Sequence, residues 1–469
     1  MAKFKAKKVE NIEITGIADQ GMSVGRTPEG EVIFVFGAVP GDIVDVVIYK
    51  KRKKTKIAKV EHFKKLSPQR LEPFCKHFTE CGGCKWQNLS YEEQLRQKHT
   101  TVSDAMKRIG RLENLEIAPV LGSMDQKYYR NKLEFTFSSQ RWYTQEEIDN
   151  SGELDKEPAL GFHIAGSFSK ILDIEECYLQ NDLSNKIRNY IRSFCIDHQL
   201  NFFNTITQEG FMRTMIVRNT QMGEWMLIIA VTRDDQKKIK LLCKSIMEEF
   251  PFITSLYYVI NGKKNDFLLD LDFHLYEGKP YIVEKLGSVS YKIGPKSFFQ
   301  TNSIQAKALF DTVVNFADFK GDEHVYDLYT GLGSIALYIA QHVKSVLGIE
   351  EIAAAIEDAK INAAFNKIEN TAFYAGDVKN LLTPDFIANH PRPDIIITDP
   401  PRAGMHADVV ETLLQLSAKK IVYVSCNPAT QARDLLLLAP KYDVTKMQPV
   451  DMFPHTHHIE NIALLELRD

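Results

Sequence analysis

No stretch of this 469-residue sequence approaches the ~18 uninterrupted apolar residues of a membrane-spanning helix. The opening residues MAKFKAKKVENIEITG have the positive start of a signal peptide with no apolar run behind it, so a cytoplasmic protein is expected. Internal repeats and low-complexity tracts are absent, which argues against a solenoid and against a disordered chain. A surplus of charge is lacking too: the net charge of −3 argues neither for nor against a polyanionic partner. Cysteines are few, seven in all, and they are unevenly placed.

At this length one core is too little, so two to four domains are expected. The 44% hydrophobic and 25% charged residues match a soluble globular protein. Residues 1–70 hold 15 Lys/Arg against 8 Asp/Glu, leaving the remainder at about −10. Seven of those cations lie between Lys50 and Lys59, including Lys51, Arg52, Lys53 and Lys54. On charge alone a solvated hairpin edge accounts for this run. A phosphate-binding patch follows only if the rest of the chain reads as a nucleic-acid enzyme.

Residues 8–62 form strand-length apolar runs with turn signals every 8–12 residues, which predicts a five-stranded barrel of the oligonucleotide-binding type or another small β-module. PQRLEP (68–73) reads as a linker. SYEEQLRQKHTTVSDAMKRIG reads as a helix, with Ser90 and Glu93 at capping-box spacing. From about Tyr128 to Ser290 the pattern is largely antiparallel-looking, interrupted by helices near 183–198 and 235–249. From about 300 onward strands alternate with helices, which predicts a doubly wound, mainly parallel α/β sheet.

Cys75, Cys81 and Cys84 form C-x5-C-x2-C around a Gly-Gly pair. Three thiols so close suit a soft metal centre better than disulfides in a reducing cytosol. Zinc with a histidine such as His77 is the alternative to an iron–sulfur cluster, which needs a fourth thiolate. Spacing cannot choose that fourth among Cys177, Cys195 and Cys243.

The segment VYDLYTGLGSIALYIA reads as strand, glycine turn and helix. Its G-x-G-x-x-A also fits a dinucleotide fingerprint, so the turn alone does not exclude a nicotinamide enzyme. Glu350 ends the second strand, where an acid suits ribose hydroxyls, and Asp377 follows the third. With Asp327 in the first strand, this series resembles a class I AdoMet methyltransferase. The fourth strand runs into Asp399-Pro400-Pro401-Arg402, prolines that make a rigid turn without needing N–H partners. The fifth ends at Cys426-Asn427-Pro428. On position alone a nucleophile and a buried core thiol stand equal there.

A methyltransferase with a cysteine nucleophile suggests its substrate. C5 of uracil is a poor nucleophile until a thiolate adds at C6, and the C5 proton must then leave so that elimination can free the enzyme. FPHTHHIENIALLEL offers His455, His457, His458 and Glu460. The histidines invite a metal reading, but they precede a strand without an H-x-x-x-H helix, and Glu460 is the stronger proton acceptor.

C-x5-C-x2-C, SFFQTN, DLYTGLGS, DPPRAG, SCNPAT and HTHHIE stand in the order of the TRAM-containing, iron–sulfur RNA (uracil-5-)-methyltransferases, and the chain resembles these over essentially its whole length, above all those acting on 23S ribosomal RNA. The resemblance implies a multidomain α/β protein: an oligonucleotide-binding-like TRAM barrel over 1–67, a central mixed α+β domain with a 4Fe–4S cluster over 68–290, and a Rossmann-like AdoMet methyltransferase domain over 291–469. The helix at about 90–110 is expected to dock on the last of these, and the protein is expected to be a monomer. Family roles fall on Cys75, Cys81, Cys84 and Cys177 for the cluster, and on Gln300, Tyr329, Ser334, Glu350 and Asp377 for S-adenosylmethionine. They fall on Asp399 beside cofactor and base, Cys426 as nucleophile and Glu460 as base. Phe298 is placed to stack on a flipped uracil and Arg130 to grip RNA, with Lys51, Arg52, Lys53 and Lys54 on the barrel. Thr330 stands where many relatives have cysteine, and Ser334 where asparagine is common. The first is expected to leave a turn that binds through its backbone unaffected. A transfer-RNA T-loop enzyme and a non-catalytic RNA-binding protein are the competing readings. The barrel and cysteine triplet favour ribosomal RNA over the first, and intact Cys426 and Glu460 stand against the second.

Overall fold

The computed structural model describes residues 6–18, 21–52, 55–150, 154, 157–167 and 169–468, without the side chains of 52, 145 and 146. Lys53 and Lys54 lie outside the described residues. Five strands, β1 (Lys7–Ile17), β2 (Ser23–Arg26), β3 (Val32–Phe36), β4 (Ile43–Arg52) and β5 (Thr55–Lys65), close into a barrel of order β1-β2-β3-β5-β4. Alternation fills it: Ile12, Ile14, Ile33, Val35, Val44, Val46 and Ile48 point inward. Lys51 ends up exposed, opposite Lys56. The 68–73 segment is pinned rather than loose, because Arg70 bonds the buried Asp42 carboxylate (2.5 Å) and pairs with Leu89.

The central sheet joins β6 (Lys132–Ser138), β7 (Ala159–His163), β8 (Ile171–Asp173), β9 (Met212–Asn219), β10 (Trp225–Val231), β11 (Ser255–Ile260) and β12 (Phe273–Gly278) in the order β12-β11-β10-β9-β6-β7-β8. One pair, β10 and β11, is parallel, because the helix Gln236–Glu249 carries the chain back to the starting edge. A hairpin of β13 (Ile282–Leu286) and β14 (Val289–Ile293) follows, so a boundary at 290 falls inside a strand. The hairpin packs on the C-terminal α/β part: the Tyr291 hydroxyl donates to Ser334 O (2.7 Å), and the Lys292 N–H to Asn362 (2.7 Å).

The last sheet contains β15 (His324–Leu328), β16 (Ser345–Glu350), β17 (Thr371–Ala375), β18 (Ile395–Thr398), β19 (Lys420–Ser425), β20 (Tyr442–Val450) and β21 (Glu460–Leu467). Its order is β17-β16-β15-β18-β19-β21-β20, parallel except where β21 enters antiparallel between β19 and β20. Order reverses beside β15, the switch point where ligands of such sheets bind.

The helix Tyr91–Arg108 buries Val102 and Met106 in the core of this sheet. Ser90 caps it through the Glu93 N–H (3.4 Å), but the reciprocal half of the capping box is absent: Glu93 turns to Arg96 and Gln97, and the Ser90 N–H donates to Gln69 O. Lys98, on the same helix, is fully buried against Asp451 (2.5 Å). Among the described residues no helix is long and apolar enough to cross a membrane.

Candidate active site

After β15 the chain turns through Tyr329, Thr330, Gly331, Leu332 and Gly333 into the helix Ser334–Ile339, with positive φ at Tyr329 (65°), Gly331 (57°) and Gly333 (80°). At its φ of 80° a side chain on Gly333 would be strained, and a Cβ there would press on Ala359 Cβ and Phe373 Cζ at 3.2 Å. The turn is braced from below by Asp327, which accepts from Thr330 Oγ1 (2.5 Å) and from the Ala336 N–H (3.1 Å). Burial raises its carboxyl to about 7, against those two bonds. The Thr330 hydroxyl thus satisfies a buried acid beneath the turn. Glu350, at the carboxyl end of β16, accepts from the N–H groups of Gly331 (3.1 Å) and Ile352 (3.0 Å). Asp377 caps the short helix Val378–Leu381. Burial and the nearby Asp377 raise the Tyr329 phenol to about 12.

The loop carrying Phe298 and Gln300 is built from behind. Buried Arg218 donates to Gly294 O (2.8 Å) and Ser297 O (2.9 Å), and Asn131 Nδ2 donates to Gln300 O (2.8 Å). This leaves Phe298 73% exposed while Phe299 is buried. Asn131 is next to Arg130, whose guanidinium lies over the rings of Phe453 (5.4 Å) and Tyr129 (5.9 Å) and faces the cysteine cavity described below.

The direction of β21 brings the reacting groups together. Ser425 pairs with Asn461 across β19 and β21, so Cys426 and Glu460 are the next opposed positions, at the edge where Asp399 leaves β18. Burial, then Glu460 and Asp399, push the Cys426 thiol up to about 11, while Arg402 draws it down. Glu460 is held well above the carboxylate range by burial and by Asp399, again opposed by Arg402. Asp399 is raised by burial and by Asp327. Arg402 is thus the one cation among the residues acting on both the thiol and Glu460. The DPPR run displayed it, but the sequence reading gave it no role. The histidines do not converge on a metal position. His455 Nδ1 is taken by Gln94 Nε2 (3.2 Å), and His458 is kept neutral, lowered to about 3 by burial and His457.

Cys75, Cys81, Cys84 and Cys177 line a cavity of about 910 Å³. Burial raises all four thiols, Cys81 to about 11 and Cys84 to about 12; another thiol of the set raises Cys81, Cys84 and Cys177 further, while Glu176 raises Cys75. Arg188 acts in the opposite sense on Cys177, and Arg130 on Cys84 and Cys177. His77 spends Nε2 on the Glu175 N–H (3.3 Å), which removes it as a ready zinc ligand. Among the described residues no three His, Cys, Asp or Glu side chains are drawn in tightly enough to hold a single ion. Cys195 and Cys243 are buried in the central core.

A doubly wound sheet with a braced glycine turn, and with Cys426, Glu460 and Asp399 at one edge, suits a methyltransferase. Residues 267–379 and 387–468 match the tRNA (Uracil-5-)-methyltransferase family, and residues 3–60 match the TRAM domain. A protein of Bacteroides thetaiotaomicron described as an uncharacterized RNA methyltransferase is 52% identical over 96% of this chain and 100% of its own length. One from Chlorobaculum tepidum, described likewise, is 38% identical over 99% and 97%. The crystal structure of Pyrococcus abyssi tRNA (uracil-54, C5)-methyltransferase with S-adenosyl-L-homocysteine superposes with a TM-score of 0.74 at 28% identity, covering 97% of this chain and 99% of that one. The chain belongs to the TRAM-containing RNA (uracil-5-)-methyltransferase family and is an enzyme of that class.

Proposed function

We propose that this enzyme methylates C5 of a uridine in 23S ribosomal RNA, with Cys426 as nucleophile and Glu460 as base. The observation that supports the reading is the antiparallel pairing of β19 with β21, which runs to Ser425 and Asn461 and leaves Cys426 and Glu460 as the next positions in register. S-adenosylmethionine supplies the methyl group, and Gln300, Tyr329, Ser334, Glu350 and Asp377, with Asp399, are the residues that would hold it. The Cys426 thiolate adds to C6, making C5 an enolate carbon that takes the methyl. Glu460 then accepts the C5 proton, the C6–S bond breaks, and its electron pair returns to sulfur as thiolate. Glu460 must be ionised when the C5 proton leaves, so its raised pKa makes it a strong acceptor once it has given up its own proton.

Exposed Phe298 is suited to stack on a flipped base, and the barrel shows Phe36, Tyr49 and Phe63 among lysines on its outside. Cys75, Cys81, Cys84 and Cys177 would hold a 4Fe–4S cluster. Four soft donors spaced around a roomy cavity, with Arg130 and Arg188 to offset thiolate charge, fit a cluster better than one ion. Methyl transfer by this route moves no electrons to or from a cluster, so a structural part is its preferred role.

A transfer-RNA substrate is the second reading. It is favoured by the Pyrococcus abyssi tRNA enzyme, which aligns with the barrel and cysteine regions included, so those features do not separate the two RNAs. The test is to incubate the protein, anaerobically and reduced, with labelled S-adenosylmethionine and unmodified ribosomal or transfer RNA. 5-Methyluridine should appear in 23S RNA and be missing at the same position in cells lacking the protein. Label confined to a T-loop would establish the second reading, and label in neither RNA would sink both.

A further inference from the structure

The segment that leads into Glu460, residues 451–459, has no regular secondary structure, yet nearly every polar group at its start is held by a distant part of the chain. Asp451 takes Lys98 Nζ (2.5 Å) and the Tyr91 hydroxyl (3.0 Å), Met452 O takes Asn302 Nδ2 (3.1 Å), and Pro454 O takes the Tyr129 hydroxyl (3.0 Å). His455 is gripped hardest. Its N–H donates to Gln94 Oε1 (2.8 Å), its Nδ1 accepts from Gln94 Nε2 (3.2 Å), and its carbonyl accepts from the N–H groups of Lys85 (2.8 Å) and Trp86 (3.1 Å). Gln94 is fully buried, and its Nε2 also lies within hydrogen-bond distance of Trp86 O and Leu89 O, so its two protons are shared among three acceptors, which fixes the amide orientation and leaves His455 Nδ1 on the accepting side. His455 holds a left-handed φ of 64° under this grip, a conformation that a non-glycine residue keeps only where its surroundings over-determine it.

Both ends of the cysteine loop converge on this one residue. Phe74, immediately before Cys75, sets its ring edge-on to the His455 imidazole at 5.1 Å. Lys85 and Trp86, immediately after Cys84, hold its carbonyl. The neighbour of the fourth cysteine joins in, since Tyr178 packs on Phe74 at 5.2 Å. Glu460 lies five residues downstream. We propose that His455 is a positioning residue for the catalytic carboxylate, and that through it the order of the cysteine loop sets where Glu460 stands. This rests on the reading of Glu460 as base. A cysteine site outside the methyl-transfer centre thereby acts on one step of the reaction, the elimination, and not on cofactor binding.

The test uses the anaerobically purified full chain and two variants, His455→Gly, which keeps the left-handed backbone, and Gln94→Met, which keeps the buried shape. Single-turnover methyl transfer should stay within about threefold, while elimination slows by about 10- to 100-fold, the cost of a small misplacement of a reacting group. A methylated protein–RNA adduct should therefore persist, with S-adenosylmethionine affinity unchanged. His455→Asn, which tolerates φ > 0 and offers an acceptor oxygen to Gln94, should restore elimination. Wild-type elimination in both variants, or equal loss of both steps in protein that still binds cofactor, would overturn the proposal. A separate readout needs no turnover. Hydrogen exchange over residues 456–460 should quicken in Cys84→Ser and in chelator-treated wild type, and unchanged exchange there while 75–86 loosens would also overturn it. If Glu460→Gln itself traps no adduct, the assignment of the base fails, and the exchange measurement still decides the coupling.

Discussion

Cys426 and the four cysteines of the central cavity are both partly removed from water, and burial is the first cause raising every one of these thiols. What separates them is the company. Around Cys426 the opposing groups are carboxyls, Glu460 and Asp399, with Arg402 pulling the other way. Around the cavity other thiols of the set raise Cys81, Cys84 and Cys177, and a carboxylate, Glu176, raises only Cys75. A lone thiol beside acids can lose and regain a proton in each cycle. Thiols gathered this closely become thiolates together only if something positive joins them. On the proposed reading the same side chain does chemistry at one place and holds a group at the other, and neighbouring charge separates the two.

The sharpest break between the two sites is Cys426→Ala. It should lower turnover by about 10⁴-fold or more, as removal of a covalent nucleophile does, with cofactor affinity unchanged in a binding titration. A large loss of cofactor binding would mean that Cys426 belongs to the cofactor site. Glu460→Gln comes next, slowing turnover by about 10²- to 10⁴-fold. Methylation can still occur but the C5 proton has no acceptor, so a gel-shifted protein–RNA adduct should build up. Cys84→Ser probes the other site and should act on colour before chemistry. Wild-type protein purified anaerobically should be brown with about four irons per chain, and the variant should lose most of that iron by metal analysis. Stoichiometric zinc in the wild type would overturn the cluster.

Much of the catalytic edge could be read from the sequence, because each parallel strand is a short apolar run ending in its functional residue: DLYTGLG, GIE, TDPP, VSCNP. The meeting of Cys426 with Glu460 could not be read that way. It depends on β21 entering antiparallel between β19 and β20, and strand order has no local signature. Lys98 was equally hidden. In SYEEQLRQKH it looks like a solvated helix lysine, but its partner Asp451 lies 353 residues away. The parallel β10–β11 pair was obscured for a different reason, since direction there is set by the crossover helix and not by the strands. The Thr330–Asp327 bond is hidden as well, because a turn seen as backbone alone does not show the buried acid beneath it.

Arg402 gives the smallest and most diagnostic effect. Its side chain is exposed, so water screens its pull on the thiol, and the shift from losing it should not exceed about one pKa unit, or tenfold in thiolate at fixed pH. The sign is definite: removing the cation raises the Cys426 pKa above its starting value of about 11, so at any pH below that less thiolate is present. Alkylation of Cys426 by iodoacetamide, followed by peptide mass spectrometry between pH 7 and 10, measures this without RNA or cofactor. Rates should rise with pH in both proteins, with Arg402→Gln slower by roughly three- to tenfold at each pH and the gap narrowing in 1 M salt, where the screening length falls to about 3 Å. The cavity cysteines should show no such difference, because Arg402 is not among the charges acting on them. A change at Cys84 equal to that at Cys426 would mean the two sulfur sites are not electrostatically separate.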